Sequence, residues 1–303
     1  MQLLKELCGV HAPSGQEQPM KEYLLTYVEK HGKSWKNEPE VIHGKEIQDC
    51  LMLKFGDPKI AIFVHMDSTG FTVRYQNQLV AIGQPEVKNG YVLLGEDSLG
   101  PIKCKLQLDK NYHLFYEFGR SIERGTSLVF DSKFKETKDF VQSCYLDNRL
   151  GVYIILKLCE TLDQGIIAFT CWEEHGGGSV PYLIKYMYKN FGIVQSLICD
   201  ITWITEGIRH GKGVVISLRD RGIPRKAYVD KIIKIAQDHH IPYQLEVEGS
   251  GGSDGLELQR SPYPIDWCFV GAPEENVHAP NEMVHKKDIQ SMLSLYQILM
   301  KEL

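Results

Sequence analysis

Short apolar runs alternate with helical patterns over most of this 303-residue chain, and this alternation restricts its fold strongly. An apolar run of roughly 4–8 residues suits a buried strand, and an intervening helix can join two such strands in parallel. The sequence therefore predicts the α/β class, a sheet with parallel pairs and helices on both faces. The predicted strands are 60–64, 165–172, 194–200, 214–218 and 265–270; the predicted helices are 1–8, 18–31, 147–161, 180–190, 225–239 and 287–303.

A different pattern interrupts this alternation between residues 70 and 134. Short segments rich in strand-forming residues follow one another there, and Lys88-Asn89-Gly90 has the composition of a turn. We expect an inserted all-β domain at 70–134, built as a small barrel or sandwich. The flanking ranges, 1–69 and 135–303, then form the α/β domain.

The amino-acid composition argues against several classes of function. The net charge is −5, from 34 basic and 39 acidic side chains, and no long basic run appears. Binding to nucleic acid or to an anionic membrane is therefore not expected. No stretch approaches the roughly 18 apolar residues of a membrane span, and the first residues lack the pattern of a signal peptide. The eight cysteines include no CxxC pair, so we expect buried, reduced thiols in a cytoplasmic protein.

Side chains that bind metals follow the first predicted strand of the α/β domain. His65 comes directly after residues 60–64, and Asp67 lies two positions further on. On an extended segment these two side chains point to the same side, so Asp67 can orient the imidazole of a metal-binding His65. Taken alone, the pair equally suits ordinary hydrogen bonds at the end of a strand.

Five further residues carry the same kind of side chain. Asp147 begins a predicted helix, where Asp is also a common N-cap. Glu173 and Glu174 follow a predicted strand, and such adjacent acids repel unless a cation neutralises one of them. Asp200 also follows a strand, and His278 lies in a loop; single residues of these types are usually turn or surface residues.

Considered together, these positions predict a metal centre, because open α/β sheets gather ligands at the carboxyl ends of their strands. Histidine and carboxylate ligands without thiolate suit zinc, cobalt or manganese. Five ligands, one of them shared, suit a hydrolase with two metal ions. The candidate ligands are His65, Asp147, Glu174, Asp200 and His278.

The same segments resemble a known family in their order along nearly the whole chain. This is the M42 family of metallo-aminopeptidases, which includes the glutamyl, deblocking and tetrahedral aminopeptidases. The segments are His65-Met66-Asp67, Leu146 to Gly151, Glu173-Glu174, Asp200-Ile201-Thr202, Gly251 to Asp254, and His278-Ala279-Pro280 with Glu282.

The resemblance implies a phosphorylase/hydrolase-like α/β/α sandwich with an inserted β domain. It also implies two divalent ions, zinc first, and hydrolysis of N-terminal residues from peptides through a metal-bridging hydroxide. The inserted domain is expected to mediate homo-oligomerisation or substrate access. The implied roles are one metal on His65 and Asp200, a second on Glu174 and His278, a bridge at Asp147, a general base at Glu173, and support of His65 by Asp67.

Several positions depart from the family pattern, among them Ser68-Thr69, His175 with the glycines after it, and Asn276-Val277. These departures leave substrate preference and oligomer size open. A related carboxypeptidase, an amide deacylase and a non-catalytic metal-binding homologue remain alternatives. We also expect Ser14 to cap the following helix. Arg149, Arg219 and Arg221 are candidates for contacts to acidic substrates, with ordinary surface or structural arginines as the equal alternative.

Overall fold

The computed structural model describes residues 1–303 and contains one large mixed sheet, one small closed barrel and seven α-helices. None of these helices combines the length and apolar character that a membrane crossing requires. The helices are α1 (Gln2–Cys8), α2 (Gln18–His31), α3 (Leu146–Cys159), α4 (Val180–Phe191), α5 (Lys226–Asp238), α6 (Asp254–Arg260) and α7 (Lys286–Glu302).

The strands divide between the sheet and the barrel. They are β1 (Glu40–Ile42), β2 (Leu51–Phe55), β3 (Ala61–His65), β4 (Gly70–Val73), β5 (Gln78–Ile82), β6 (Val92–Asp97), β7 (Gly100–Leu108), β8 (Leu114–Glu117), β9 (Ser127–Phe130), β10 (Lys135–Glu136), β11 (Phe140–Ser143), β12 (Gly165–Thr170), β13 (Gln195–Trp203), β14 (Val214–Arg219), β15 (Tyr243–Val247), β16 (Asp266–Glu275) and β17 (Glu282–His285).

The large sheet has eleven strands, and its centre is parallel. The main order is β1-β2-β12-β3-β13-β16-β17-β11-β10, with β14 paired to β16 and to β15. Strands β12, β3, β13 and β16 run in parallel, with Thr170 opposite His65 and Asp200 opposite Gly271. Every residue of β3 and β12 is buried, as expected of strands covered on both faces. The carboxyl ends of these strands therefore meet at one edge.

Helices cover this sheet in two groups. Helix α3 packs against α1 and α7, and α7 also packs against α5, while α4 packs against α6. The buried hydroxyl of Tyr296 in α7 donates to the carbonyl oxygens of Ile198 (3.0 Å) and Val270 (2.8 Å). This contact ties α7 to the two neighbouring strands β13 and β16 and so stiffens the centre of the sheet.

The barrel closes in the order β4-β5-β8-β7-β6-β9. Its own apolar core includes Phe71, Leu93, Leu106 and Phe130, and the Phe71 and Phe130 rings meet edge to face with centroids 5.7 Å apart. Closure leaves no free strand edge, which suits a small all-β unit. The predicted α/β class with a smaller β-rich unit is confirmed, whereas the limits of the inserted domain, 70–134, stay a prediction.

The predicted capping role of Ser14 is wrong. Helix α2 has Glu17 at its N-cap position, without a side-chain cap. The Ser14 hydroxyl instead donates to Oδ2 of Asp67 at 2.6 Å. One Glu17 oxygen accepts from the backbone N–H groups of Gly15 (2.9 Å) and Trp172 (3.0 Å). This segment is therefore anchored to the ends of β3 and β12 and not to the following helix.

Candidate metal centre

Five side chains from separate parts of the chain converge at the carboxyl edge of the parallel strands. Their ligand atoms form two groups, in each of which all atoms lie within 4.8 Å of one another. The first group is His65, Asp147 and Asp200; the second is Asp147, Glu174 and His278. These five are the candidate ligands from the sequence, and the structure brings all of them together.

Asp147 belongs to both groups and faces each with a different oxygen. Its Oδ1 lies 3.1 Å from Nε2 of His65, and its Oδ2 lies 3.2 Å from Nε2 of His278. Asp200 Oδ1 is 3.4 Å from the same His65 nitrogen, and Glu174 Oε2 is 3.1 Å from that of His278. The arrangement matches two adjacent cation positions that share one carboxylate.

The imidazole of His278 is oriented for binding a cation. Its Nδ1 lies 3.0 Å from the carbonyl oxygen of Gln84, and a carbonyl oxygen can only accept a hydrogen bond. Nδ1 must therefore carry a proton, so whenever the ring is neutral it presents the lone pair of Nε2 to Asp147 and Glu174. A lone pair that faces two carboxylates requires a cation or a proton between them.

Asp67 connects His65 to the turn that carries Glu173 and Glu174. This fully buried carboxylate lies 3.4 Å from Nδ1 of His65. It also accepts from the backbone N–H groups of Glu173 and Glu174, both at 3.2 Å. Asp67 thus fixes the His65 ring and the turn after β12 relative to each other, as an orienting residue behind a metal ligand does.

Glu282 organises the opposite side of the centre. Its Oε2 accepts from the backbone N–H groups of Leu146 (2.5 Å) and Asp147 (3.3 Å), and its Oε1 accepts from that of His278 (3.0 Å). The Asp147–Asn148 peptide bond is cis, and the Asn148 side chain donates to the carbonyl oxygen of Cys199 at 2.8 Å. Backbone segments that carry three of the ligands are therefore held by buried polar side chains.

The electrostatics of the five residues call for positive charge. Burial, together with the Asp147 carboxylate, raises the pKa of Glu174 to about 7. Burial alone would lower the pKa of His278, but the Glu174 and Asp147 carboxylates outweigh it and raise that pKa to about 12. Burial and the carboxylates act in the same opposition on His65, whose pKa is also raised. The carboxylates thus favour positive charge on or between the two imidazoles. Either protons or metal cations can supply that charge.

One oxygen gives an independent test of the fit to a metal. Oε1 of Glu174 is buried and has no hydrogen-bond partner in the protein. Burying such an oxygen is costly unless a donor or a cation satisfies it. Three carboxylates and two imidazoles without a thiolate suit zinc, cobalt or manganese, so the donor set fits a pair of divalent cations.

Glu173 is placed differently from the ligands. It begins a short 3-10 turn directly after Trp172, which has a left-handed backbone with φ of 64°. Its carboxylate makes no hydrogen bond or ion pair with the protein, and it lines the same cleft as Asp147 and Glu174. Burial and the surrounding carboxylates raise its pKa well above the usual range. A free carboxyl with a high proton affinity next to a metal centre can accept and return a proton.

The cleft above the centre has a volume of about 830 Å³. Besides Glu173 and four of the five ligands, its walls include the glycine-rich segment from Gly249 to Asp254, whose role was left open by its residue types alone. Within that segment Asp254 accepts a hydrogen bond from the Thr170 hydroxyl at 2.5 Å. The cleft is large enough for several residues of a peptide.

Of the three arginines considered for acidic substrates, only Arg221 lines the cleft. The expectation for Arg149 is wrong, because its side chain is fully buried and donates to the carbonyl oxygens of Met66 and Ala12. Arg219 donates to the carbonyl oxygen of Asp220 at 3.2 Å and lies outside the cleft wall. The buried Arg149 side chain therefore links α3 to the segments that contain Met66 and Ala12, and it cannot reach a substrate.

The barrel contributes backbone to the centre, which sequence reasoning missed. Besides the Gln84 carbonyl, the N–H of Gly83 donates to Nδ1 of His175 at 2.9 Å. Gly83 has φ of 68°, and a Cβ atom there would lie 2.9 Å from the carbonyl oxygen of Glu174. Contacts through main-chain atoms leave little trace in side-chain identity. The glycine at 83 is the one sequence signal of this close approach.

Comparison with known proteins agrees with this architecture. The model of the M42 glutamyl aminopeptidase family matches residues 116–295. A protein of Acetivibrio thermocellus that carries a provisional aminopeptidase name is 26% identical over 334 aligned positions, covering 97% of this chain and 96% of the relative.

Solved structures share the fold over the full length of the chain. An aminopeptidase from the archaeon Desulfurococcus kamchatkensis superimposes with a TM-score of 0.86 at 21% identity, covering 100% of this chain and 94% of that one. The TET1 peptidase of Pyrococcus horikoshii does so with a TM-score of 0.82 at 20% identity, covering 100% and 99%. With more than half of its length matched by the family model, the chain belongs to the M42 glutamyl aminopeptidase family and is a peptide hydrolase of the aminopeptidase class.

Proposed function

We propose that this chain removes N-terminal residues from peptides with two metal ions and with Glu173 as the general base. The observation that carries this proposal is the position of Asp147, whose two oxygens each face a different imidazole at 3.1 and 3.2 Å. A carboxylate that only capped a helix would have no reason to lie between two histidines. The shared carboxylate supports a pair of ions.

In this proposal His65 and Asp200 hold one ion, Glu174 and His278 hold the other, and Asp147 lies between them. Asp67 orients His65, as its contacts with the ring and with the Glu173-Glu174 turn indicate. Zinc is the first choice, and cobalt or manganese suits the same ligands. Two such ions, when bound, would lower the pKa of a water molecule and polarise the scissile carbonyl.

The protein supplies the proton transfers. The Glu173 carboxylate is free of protein partners and lines the cleft, so it is available to take a proton from the attacking water. Its raised pKa means that it holds this proton well enough to deliver it to the departing amine. The backbone N–H of Glu173 is bound to Asp67, so the base keeps a constant position relative to His65.

We also propose that the chain assembles with copies of itself through the domain at 70–134, which would then control substrate access. The TET1 peptidase of Pyrococcus horikoshii can assemble into a tetrahedron or a large octahedral shell. In this chain the large apolar side chains that the barrel exposes include Leu99 (70% exposed) and Tyr112 (80% exposed). Such exposed apolar groups support an interface. Eight free, buried cysteines support a reducing, cytoplasmic location.

The proposal is tested by hydrolysis of short peptides with free N-termini, alongside N-acetylated copies. Each assay is run on the enzyme as purified, after chelation, and after adding back zinc or cobalt. Metal-restored cleavage of the free-amine set alone is the expected result. Cleavage of the acetylated set would favour a deacylase or carboxypeptidase instead, and no cleavage by metal-loaded protein would favour a binding role.

A further inference from the structure

Two cysteines lie in contact directly behind the Glu173-Glu174 turn. The sulfur atoms of Cys50 and Cys171 are 3.5 Å apart, and both residues are almost fully buried. The Tyr182 hydroxyl lies 3.3 Å from the Cys50 sulfur. Of the eight cysteines, only these two hydrogen-bond each other, which distinguishes them from thiols that merely fill space in a core.

We propose that Cys50 and Cys171 are a reversible disulfide site, at which a hydroperoxide oxidises the pair and lowers peptidase activity. The effect on activity rests on the proposed function, whereas formation of the disulfide does not. A disulfide has a sulfur–sulfur distance of about 2.05 Å, so the two sulfurs need to approach by roughly 1.5 Å. The proposal requires side-chain rotation and a small backbone shift to close that gap.

The two-electron chemistry balances with one molecule of hydrogen peroxide. The Cys50 sulfur attacks a peroxide oxygen and forms a sulfenic acid, and the displaced hydroxide takes a proton and leaves as water. The Cys171 sulfur then attacks the oxidised sulfur and expels a second hydroxide, which leaves as water with the remaining thiol proton. Two thiols are thus oxidised to one disulfide, and one peroxide is reduced to two waters.

The surroundings favour Cys50 as the first sulfur to react. Hydrogen bonding with the Cys171 thiol and the Tyr182 hydroxyl holds the pKa of Cys50 below its usual range, against the opposing effect of burial. A lower pKa increases the fraction of thiolate, the form that attacks peroxide. Tyr182 is half-buried, and its hydroxyl also contacts the Gln48 side chain at 3.4 Å. Cys50 is therefore the sulfur of the pair that contacts a partly exposed side chain.

Cys171 connects the pair to the catalytic turn. Its backbone N–H donates to the Ser179 hydroxyl at 3.1 Å, and Glu173 follows only two residues later. Glu173 is itself held by its N–H bond to Asp67. Because a displacement of about 1 Å in an active site can cost roughly 100-fold in rate, pulling Cys171 towards Cys50 is expected to reduce turnover.

The test begins with peptide mapping of the full-length, metal-loaded protein after treatment with hydrogen peroxide. Trypsin places Cys50 in the peptide 46–54 and Cys171 in the peptide 158–185, which also contains Cys159. We expect these two peptides to become cross-linked, and to separate again with dithiothreitol. The cross-link should persist in Cys159→Ser and disappear in Cys171→Ser and in Cys50→Ser.

Activity is measured on the same samples. We expect a fall of roughly tenfold or more in the oxidised wild type, recovery with dithiothreitol, and constant activity in peroxide-treated Cys50→Ser. Absence of the cross-link, or its survival in Cys171→Ser, would overturn the site. A complete cross-link with unchanged activity would overturn the effect on catalysis. If the chain hydrolyses no peptide at all, the cross-link still decides whether the site exists.

Discussion

At the scale of single residues, Asp147 has the largest predicted effect on metal content. Asp147→Ala removes the oxygens that face His65 and His278, so we expect fewer than two metal ions per chain. Elemental analysis after dialysis measures this number. Asp220→Ala is the matched control, because Asp220 is another buried carboxylate of the same cleft and belongs to neither ligand group. Two retained ions in Asp147→Ala would contradict the bridging role.

Substitution of Glu173 is predicted to impair catalysis without affecting metal binding. Glu173→Gln keeps the size of the side chain but removes its ability to take a proton. We expect kcat to fall by about 10²–10⁴-fold, with the number of bound ions unchanged. Steady-state kinetics and elemental analysis on the same preparation check both statements. Turnover equal to that of the wild type would mean that another group, or none, acts as the base.

Which site residues the sequence reveals depends on how each one acts. The five candidate ligands are recognisable because each acts through its own side chain, and three of them, His65, Glu174 and Asp200, come at the end of an apolar run. The support of His65 by Asp67 follows from the two-residue period of an extended segment. The contribution of Gln84 is invisible, because any residue offers the same carbonyl oxygen. Contact geometry alone shows that Arg149 faces the interior.

At the scale of elements, the loop after β5 is predicted to set the position of Glu174. Gly83→Ala introduces a Cβ atom 2.9 Å from the Glu174 carbonyl oxygen, in addition to the cost of a left-handed residue. Gly90→Ala is the matched control, since Gly90 also has a positive φ, of 87°, but a Cβ atom there would meet no other atom within 4 Å.

We expect Gly83→Ala to weaken binding of one metal ion by roughly 10–100-fold, the range typical for disturbed support of a ligand. Both variants should lose a similar amount of stability, about 1 kcal/mol, because both force alanine into the left-handed region. Metal titration and denaturant unfolding measure the two effects separately. Equal metal affinities in the two variants would show that the loop does not position Glu174.

Long elements with a clear period are well predicted from the sequence, as the helix at 18–31 shows. Three shorter elements are missing from the prediction: β2 and β15 have five residues each, and α6 has seven and begins inside a glycine-rich segment. Strand β16 extends to Glu275, beyond the predicted end at residue 270, because Glu274 and Glu275 pair with β17. Such pairing depends on a distant part of the chain, which a local pattern does not contain.

At the scale of the whole molecule, we expect metal binding and folding to be coupled. The ligands come from separate elements, so the centre exists only in the folded chain. Each ion at 100 times its dissociation constant is expected to stabilise the fold by about 2.7 kcal/mol. Chelation should therefore lower the midpoint of thermal unfolding, and adding zinc should restore it. An unchanged midpoint in the wild type would contradict a structural coupling of the two ions.

If copies of the chain assemble through the barrel, changes on its surface should reduce the mass of the homo-oligomer. Replacing Leu99 and Tyr112 together by Glu places charges on the exposed apolar surface of the barrel. We expect a smaller particle in sedimentation velocity, with circular dichroism unchanged. Val194→Glu, at a half-exposed apolar position in the α/β part of the chain, is the control. If the double variant has the mass of the wild type, the barrel does not form the contacts between copies.

The barrel backbone at Gly83 and Gln84 has a thermodynamic consequence. Because the Gln84 carbonyl orients the imidazole of His278, the two-ion proposal predicts that the affinity for the ion on Glu174 and His278 depends on the orientation of the barrel relative to the sheet. Any event that favours one orientation, such as docking of another copy, must then change the affinity for that ion. By reciprocity, the ion changes the docking equilibrium by the same factor. The concentration of metal would then influence the assembly of the chain, and assembly would influence metal binding, through the carbonyl oxygen of Gln84.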